Sequence, residues 1–145
     1  MTVTEACGAP AEALGEALLT PAVMTMMSAD RFGHAERMQL DNAIAFSPIL
    51  RPLIGESCAR LVKKIVAEAG KREVEETMAA VREMLSPALR ETSIAIAVRV
   101  AFADGVLEET EQAAVIVMSD LLGLERDQFF KIYEVLAMLQ RPAEA

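Results

Sequence analysis

Two stretches of this sequence are apolar on nearly every side, and an acidic turn joins them. From Pro87 to Phe102 the chain carries Ile94, Ile96, Val98 and Val100 after Ser93. From Glu108 to Leu122 it carries Val115, Ile116, Val117 and Met118. A helix that is apolar all round belongs inside a protein, so these two are expected to pack antiparallel at the centre. Arg99 interrupts the first and needs a carboxylate or a carbonyl if it is buried. Between them runs Ala101-Phe102-Ala103-Asp104-Gly105-Val106-Leu107-Glu108-Glu109-Thr110-Glu111. Gly105 suits a positive φ, and Asp104 before it can bond to local backbone or bind a ligand. Glu108, Glu109 and Glu111 fall in the first turn of the next helix, where negative charge complements the helix dipole.

The rest of the chain reads as helix. Pro10 to Leu19 has Leu14, Leu18 and Leu19 at helical spacing. Thr20-Pro21 looks like a new start, with a capping hydroxyl and proline at the first helical position. Val23, Met24, Met26 and Met27 follow, and adaptable methionines of this kind fill helical cores. His34 to Phe46 is a further helix, with His34 as a surface residue at its start. Glu56 to Ala69 carries Leu61, Val62, Ile65 and Val66 on one face, and Gly70 ends it. Lys71 to Leu85 places Val74, Met78, Val81 and Leu85 on one stripe. Lys63, Lys64, Lys71 and Arg72 form a basic cluster suited to an acidic partner. Ser86-Pro87 repeats the cap-plus-proline start, and Glu125 to Gln140 closes the chain. No segment shows strand alternation. The expected fold is all-α: one compact bundle of about seven or eight helices over residues 10–140, with tails at 1–9 and 141–145.

Charge and composition narrow the function. A net charge of −8 argues against nucleic acid and anionic membrane as partners, and aromatics at 4% leave little to stack bases on. Cys7 and Cys58 form no CxxC pair, so neither a zinc knuckle nor a redox motif is available. The expectation is reduced thiols in a soluble, cytoplasmic protein with no membrane insertion. His34 is the single histidine, and phosphate-loop and nucleophile-elbow motifs are absent. An enzyme is therefore not expected.

The acidic turn half-matches a calcium loop. With Gly105 at the sixth position, Asp104 is fifth, Leu107 eighth and Glu111 twelfth, all suitable. Val100 and Phe102 at the first and third positions supply no side-chain oxygen, so the full motif fails. A shallower site using Asp104 with Glu108 or Glu111 stays open.

An apolar helix ending in Ala-Asp-Gly, then a hydrophobic residue and an acid-rich helix start with Glu111 seven residues after Asp104, resembles the TerB-like tellurite-resistance family. The same helical module accompanies J-domain co-chaperones. The likeness runs from about Pro21 to Leu139. Ala29-Asp30 closes its own apolar segment as Ala103-Asp104 does, and the two aspartates stand 74 residues apart (104 − 30). This suggests a weak internal two-fold repeat, which the family also has. The first copy departs from the pattern. Arg31 replaces glycine after Asp30, and Glu36 follows six residues on, with His34 and Asp41 nearby.

The resemblance implies a role in tellurite and other stress resistance, with a protein partner such as a TerC-like membrane protein holding the chain at the inner membrane periphery. Read with the acids, it gives a non-enzymatic sensor or scaffold binding a divalent cation, Ca²⁺ first, through Asp104, Glu108, Glu111, Asp30 and Glu36. Oxygen ligands without a thiolate cluster favour a hard ion. The acids of both copies are expected to share one electronegative surface. Two other readings stand beside it: a metal-independent helical interaction module, and a metal-assisted hydrolase.

Overall fold

The computed structural model describes residues 9–28, 33–103 and 109–144. Seven α-helices make up the described chain: α1 (Ala9–Ser28), α2 (His34–Phe46), α3 (Glu56–Ala69), α4 (Val74–Met84), α5 (Pro87–Ala101), α6 (Glu109–Leu121) and α7 (Arg126–Met138). A 3₁₀ turn, Arg51–Leu53, precedes α3. No strand occurs among the described residues, so the all-α expectation holds.

Local chemistry sets most boundaries. Ser86 caps α5, its hydroxyl accepting from the Leu89 N–H at 3.3 Å, with Pro87 at the first helical position. Glu125 and Gln128 form a capping box at the start of α7. Gly123, at φ 86°, ends α6, and the Leu124 N–H returns to the Ser119 carbonyl at 3.1 Å. Lys71, Arg72 and Glu73 lie in the link before α4 instead of inside the helix, which begins at Val74.

Thr20-Pro21 is not a helix start. α1 runs unbroken through it for 20 residues. Thr20 donates its hydroxyl to the Glu16 carbonyl at 2.6 Å, and Thr25 donates to the Pro21 carbonyl at 2.7 Å. Proline removes one helical hydrogen bond and crowds the preceding turn. That cost is outweighed because Leu18, Leu19, Ala22 and Val23 on either side of it are all fully buried.

The centre of the bundle also differs from the expected pair. α1 and α5 make the most extensive helix contact, and α1 also touches α3, α4 and α6. α5 and α6 do pack together, but less extensively. The reason is the repeat. α1, α2 and α3 correspond to α5, α6 and α7, and the two leading helices lie against each other. α2 then packs on α5 while α6 packs on α1, so the second helix of each half covers the first helix of the other. α4 has no counterpart.

The repeat can be read residue by residue. α2 and α6 each have 13 residues, and their first residues stand 75 apart (109 − 34). At that register Leu19, Ala22 and Val23 fall on Ile94, Ala97 and Val98, and all six are fully buried. Glu36, Leu40 and Ile44 fall on Glu111, Val115 and Ser119, and all six are again buried. The helices therefore repeat one residue out of step with the two aspartates.

Candidate cation site

Asp30, Asp104 and Glu108 lie outside the described residues, so the candidate site is described through its two remaining members. Glu36 is the third residue of α2 and Glu111 the third residue of α6. Each opens a stripe at positions i, i+4 and i+8 that faces the core. Glu36 is 5% exposed and Glu111 1% exposed. Their neighbours His34 and Glu109, at the first position of each helix, point to solvent. Each half thus sends one helix-start carboxylate inward.

The expectation of a shared electronegative surface needs correction on this point. Glu36 and Glu111 belong to the interior because helical periodicity puts them in line with Leu40 and Ile44, or Val115 and Ser119. They do not contribute exposed charge.

The Glu36 carboxylate folds back over the start of its own helix. A Cβ built on Gly33 would stand 2.8 Å from Glu36 Oε2, so glycine at the N-cap leaves the room it occupies. The first turn's outward N–H groups favour an anion at this place.

Arg99 fixes how the two halves meet here. Its Nε donates to the Gln39 side-chain oxygen at 3.2 Å, the amide carbonyl that its partial burial requires. Gln39 is one helical turn beyond Glu36, and Arg99 is two residues from the end of α5 at Ala101. The exit of α5 therefore stands beside the first half of α2, at the same end of the bundle as Glu36.

Fit to a cation rests on donor chemistry. Carboxylate oxygens suit hard ions such as Ca²⁺ or Mg²⁺. Among the described residues no group of three or more His, Cys, Asp or Glu comes together. A complete ligand set would need the acids outside the described residues.

Cys58 is buried and lines a cleft of about 390 Å³ with Arg37 and Asp41. Burial, and then the charge of Asp41, push its thiol above the ordinary range, which disfavours the thiolate form. A second cleft, of about 360 Å³, lies between α1, α3 and α4. Sequence reading singled out Lys64 and Arg72 of its rim but not the cleft, because no local pattern places α4 across from α3.

An all-helical bundle with an internal two-fold repeat and an inward acid at the start of each second helix defines the class. The family model described as Tellurite resistance protein TerB matches residues 16–133, and the chain belongs to that family. No curated protein and no solved structure matches it. No helix among the described residues is long and apolar enough to cross a membrane.

Proposed function

We propose that this TerB-family chain is a non-enzymatic, cation-responsive interaction protein. It takes a hard divalent cation, Ca²⁺ first, at the acid-bearing helix starts. Glu36 and Glu111 are the inner ligands, and Asp30, Asp104 and Glu108 are drawn from the sequence just before each of them. Occupancy reports metal or stress state to a protein partner, in keeping with tellurite resistance. A TerC-type membrane partner would place the chain at the cytoplasmic face of the inner membrane.

The observation that carries this reading is the same-register burial of Glu36 and Glu111. A carboxylate that only complements a helix dipole gains as much at the surface and avoids the cost of leaving water. Keeping one inside at the same place in both halves sets the same oxygen donor at the same point of each repeat, and carboxylate oxygens suit a hard cation.

The test is calorimetric titration of chelator-treated protein with Ca²⁺, Mg²⁺, Mn²⁺ and Zn²⁺. Wild type is run beside Asp104→Asn, Glu36→Gln and Glu111→Gln. Saturable binding that is lost in the variants is the expected result. Thermal unfolding should rise with free cation as mass action requires. No heat and no thermal shift with any ion would leave a metal-independent helical interaction module.

A further inference from the structure

We infer that the face of α5 and α2 equivalent to the one α4 covers on α1 and α6 is a docking site for a partner protein's amphipathic helix, one with an apolar stripe like that of α4. This gives the interaction role proposed above a surface, and it stands apart from the cation.

The internal repeat says what kind of element fits. α4 packs on α1 and α6. Because α1 corresponds to α5 and α6 to α2, a two-fold copy of α4 would lie on α5 and α2. Among the described residues no helix takes that place. α6 packs against α1, α4, α5 and α7, whereas the extensive contacts of α2 are with α5 and the 3₁₀ turn.

Burial follows the difference. Ala17 and Thr20 line the cleft beside α4 and are buried. Their counterparts 75 residues on, Thr92 and Ala95, are only half-buried. Arg82 of α4 reaches Gly123 at the end of α6. There Leu122 is buried and Leu121 half-buried. The same positions of the first half are Ser47, half-buried, and Phe46, which is 79% exposed.

The flanking helix carries the sharper contrast. α3 and α7 align 71 residues apart, which sets Leu61, Val62 and Ile65 on Ile132, Tyr133 and Leu136, all packed in or against the core. At that register Lys64 and Glu68, which line the cleft beside α4, become Val135 and Leu139. These two are 57% and 67% exposed. The wall is polar where the chain's own helix already stands and apolar where none does. Large apolar side chains gathered along one uncovered face mark an interaction surface.

α4 itself defines the occupant. Its 11 residues span about 16 Å. Val74, Met78, Val81 and Leu85 point inward at i, i+4, i+7 and i+11, the last three fully buried. In a second copy of the chain this stripe is buried in its own first half, so the docking helix comes from a different protein. Apolar anchors at such spacing are how a helix is held in a groove.

The probe is a fluorescein-labelled designed helix of about four turns, with valine, methionine, valine and leucine at i, i+4, i+7 and i+11. The control has the same composition with the stripe scrambled. Binding is read by anisotropy in EDTA, so that failure here is separate from failure of the cation site. Wild type should bind the striped peptide at least about tenfold more tightly than the scrambled one. Phe46→Glu and Leu139→Glu, both at exposed positions, should each weaken it at least about tenfold with an unchanged unfolding temperature. Glu68→Lys, at the equivalent position beside α4, should leave the affinity as it is. No saturable binding, equal affinity for both peptides, or indifference to Phe46→Glu and Leu139→Glu would overturn the proposal. So would a wild-type dimer in sedimentation equilibrium that Leu139→Glu abolishes, which would assign the face to a second copy. Binding to phosphatidylglycerol vesicles that is lost in Leu139→Glu would equally overturn it, in favour of a membrane surface.

Discussion

Removing either of two buried serine hydroxyls should stabilise this protein. Ser93 in α5 and Ser119 in α6 are 0% and 1% exposed. Neither hydroxyl has a hydrogen-bond partner among the described residues. The contrast lies in α1, where Thr20 and Thr25 return their hydroxyls to carbonyls four residues back at 2.6 and 2.7 Å. A buried hydroxyl without a partner costs about 1–3 kcal/mol. Alanine deletes that cost and leaves a void of one oxygen atom, which offsets part of the gain. The net expectation for Ser93→Ala or Ser119→Ala is about 1 kcal/mol of added stability, or roughly 3 °C in Tm for a chain of this size. The repeat supports the direction, since the corresponding residues at the 75-residue register are Leu18 and Ile44, both buried and apolar. Thr25→Val is the opposing control. It removes a made hydrogen bond at nearly constant volume and should cost about 1 kcal/mol. Urea unfolding followed by circular dichroism at 222 nm gives all three values. Losses of about 1 kcal/mol or more in both serine variants would refute the reasoning, because they would mean the hydroxyls are bonded, for example to buried water.

Three further outcomes follow from the geometry. Gly123→Ala should destabilise by about 1 kcal/mol or more in thermal unfolding, because φ is 86° and a Cβ would stand 2.9 Å from the Arg82 guanidinium carbon. Asp120 receives two hydrogen bonds from Arg126 at 2.8 and 2.7 Å, and that bonding holds its carboxyl below the usual value. The pair's contribution is present above the unfolded-state carboxylate pKa and is lost as pH falls through the lower folded value. Asp120→Asn should thus lower Tm slightly at pH 7 and not at all in strong acid, with the difference shrinking in salt. In a Cys7→Ser background, Cys58 should react with a disulfide reagent slowly when native and rapidly in urea. Burial raises its thiol and blocks access, and fast native reaction would contradict that placement.

Much of the architecture is legible along the chain. The spacings of Leu61, Val62 and Ile65, and of Val74, Met78 and Val81, locate helices because one face of each must leave water. Ser86-Pro87, Gly70 and Gly123 mark boundaries because capping and turn geometry are local. The same local logic misreads Thr20-Pro21, where burial on both sides carries the helix through a residue that ordinarily begins one. It also takes α5 and α6 for the central pair, since both are apolar, whereas the repeat sets α1 against α5.

For the site, sequence alone determined which acids begin helices and that their oxygens suit a hard cation. It could not decide which of them face inward. Glu109 and Glu111 are two residues apart, about 200° around the helix, and only the packing of α6 against α1 and α5 puts one in solvent and the other in the core. The cleft between α1, α3 and α4 shows the same division. The apolar stripes of α3 and α4 are a property of the chain, but the recess exists only because α4 stands apart from α3 on α1. That arrangement depends on contacts between residues far apart in sequence, and helical periodicity holds no information about them.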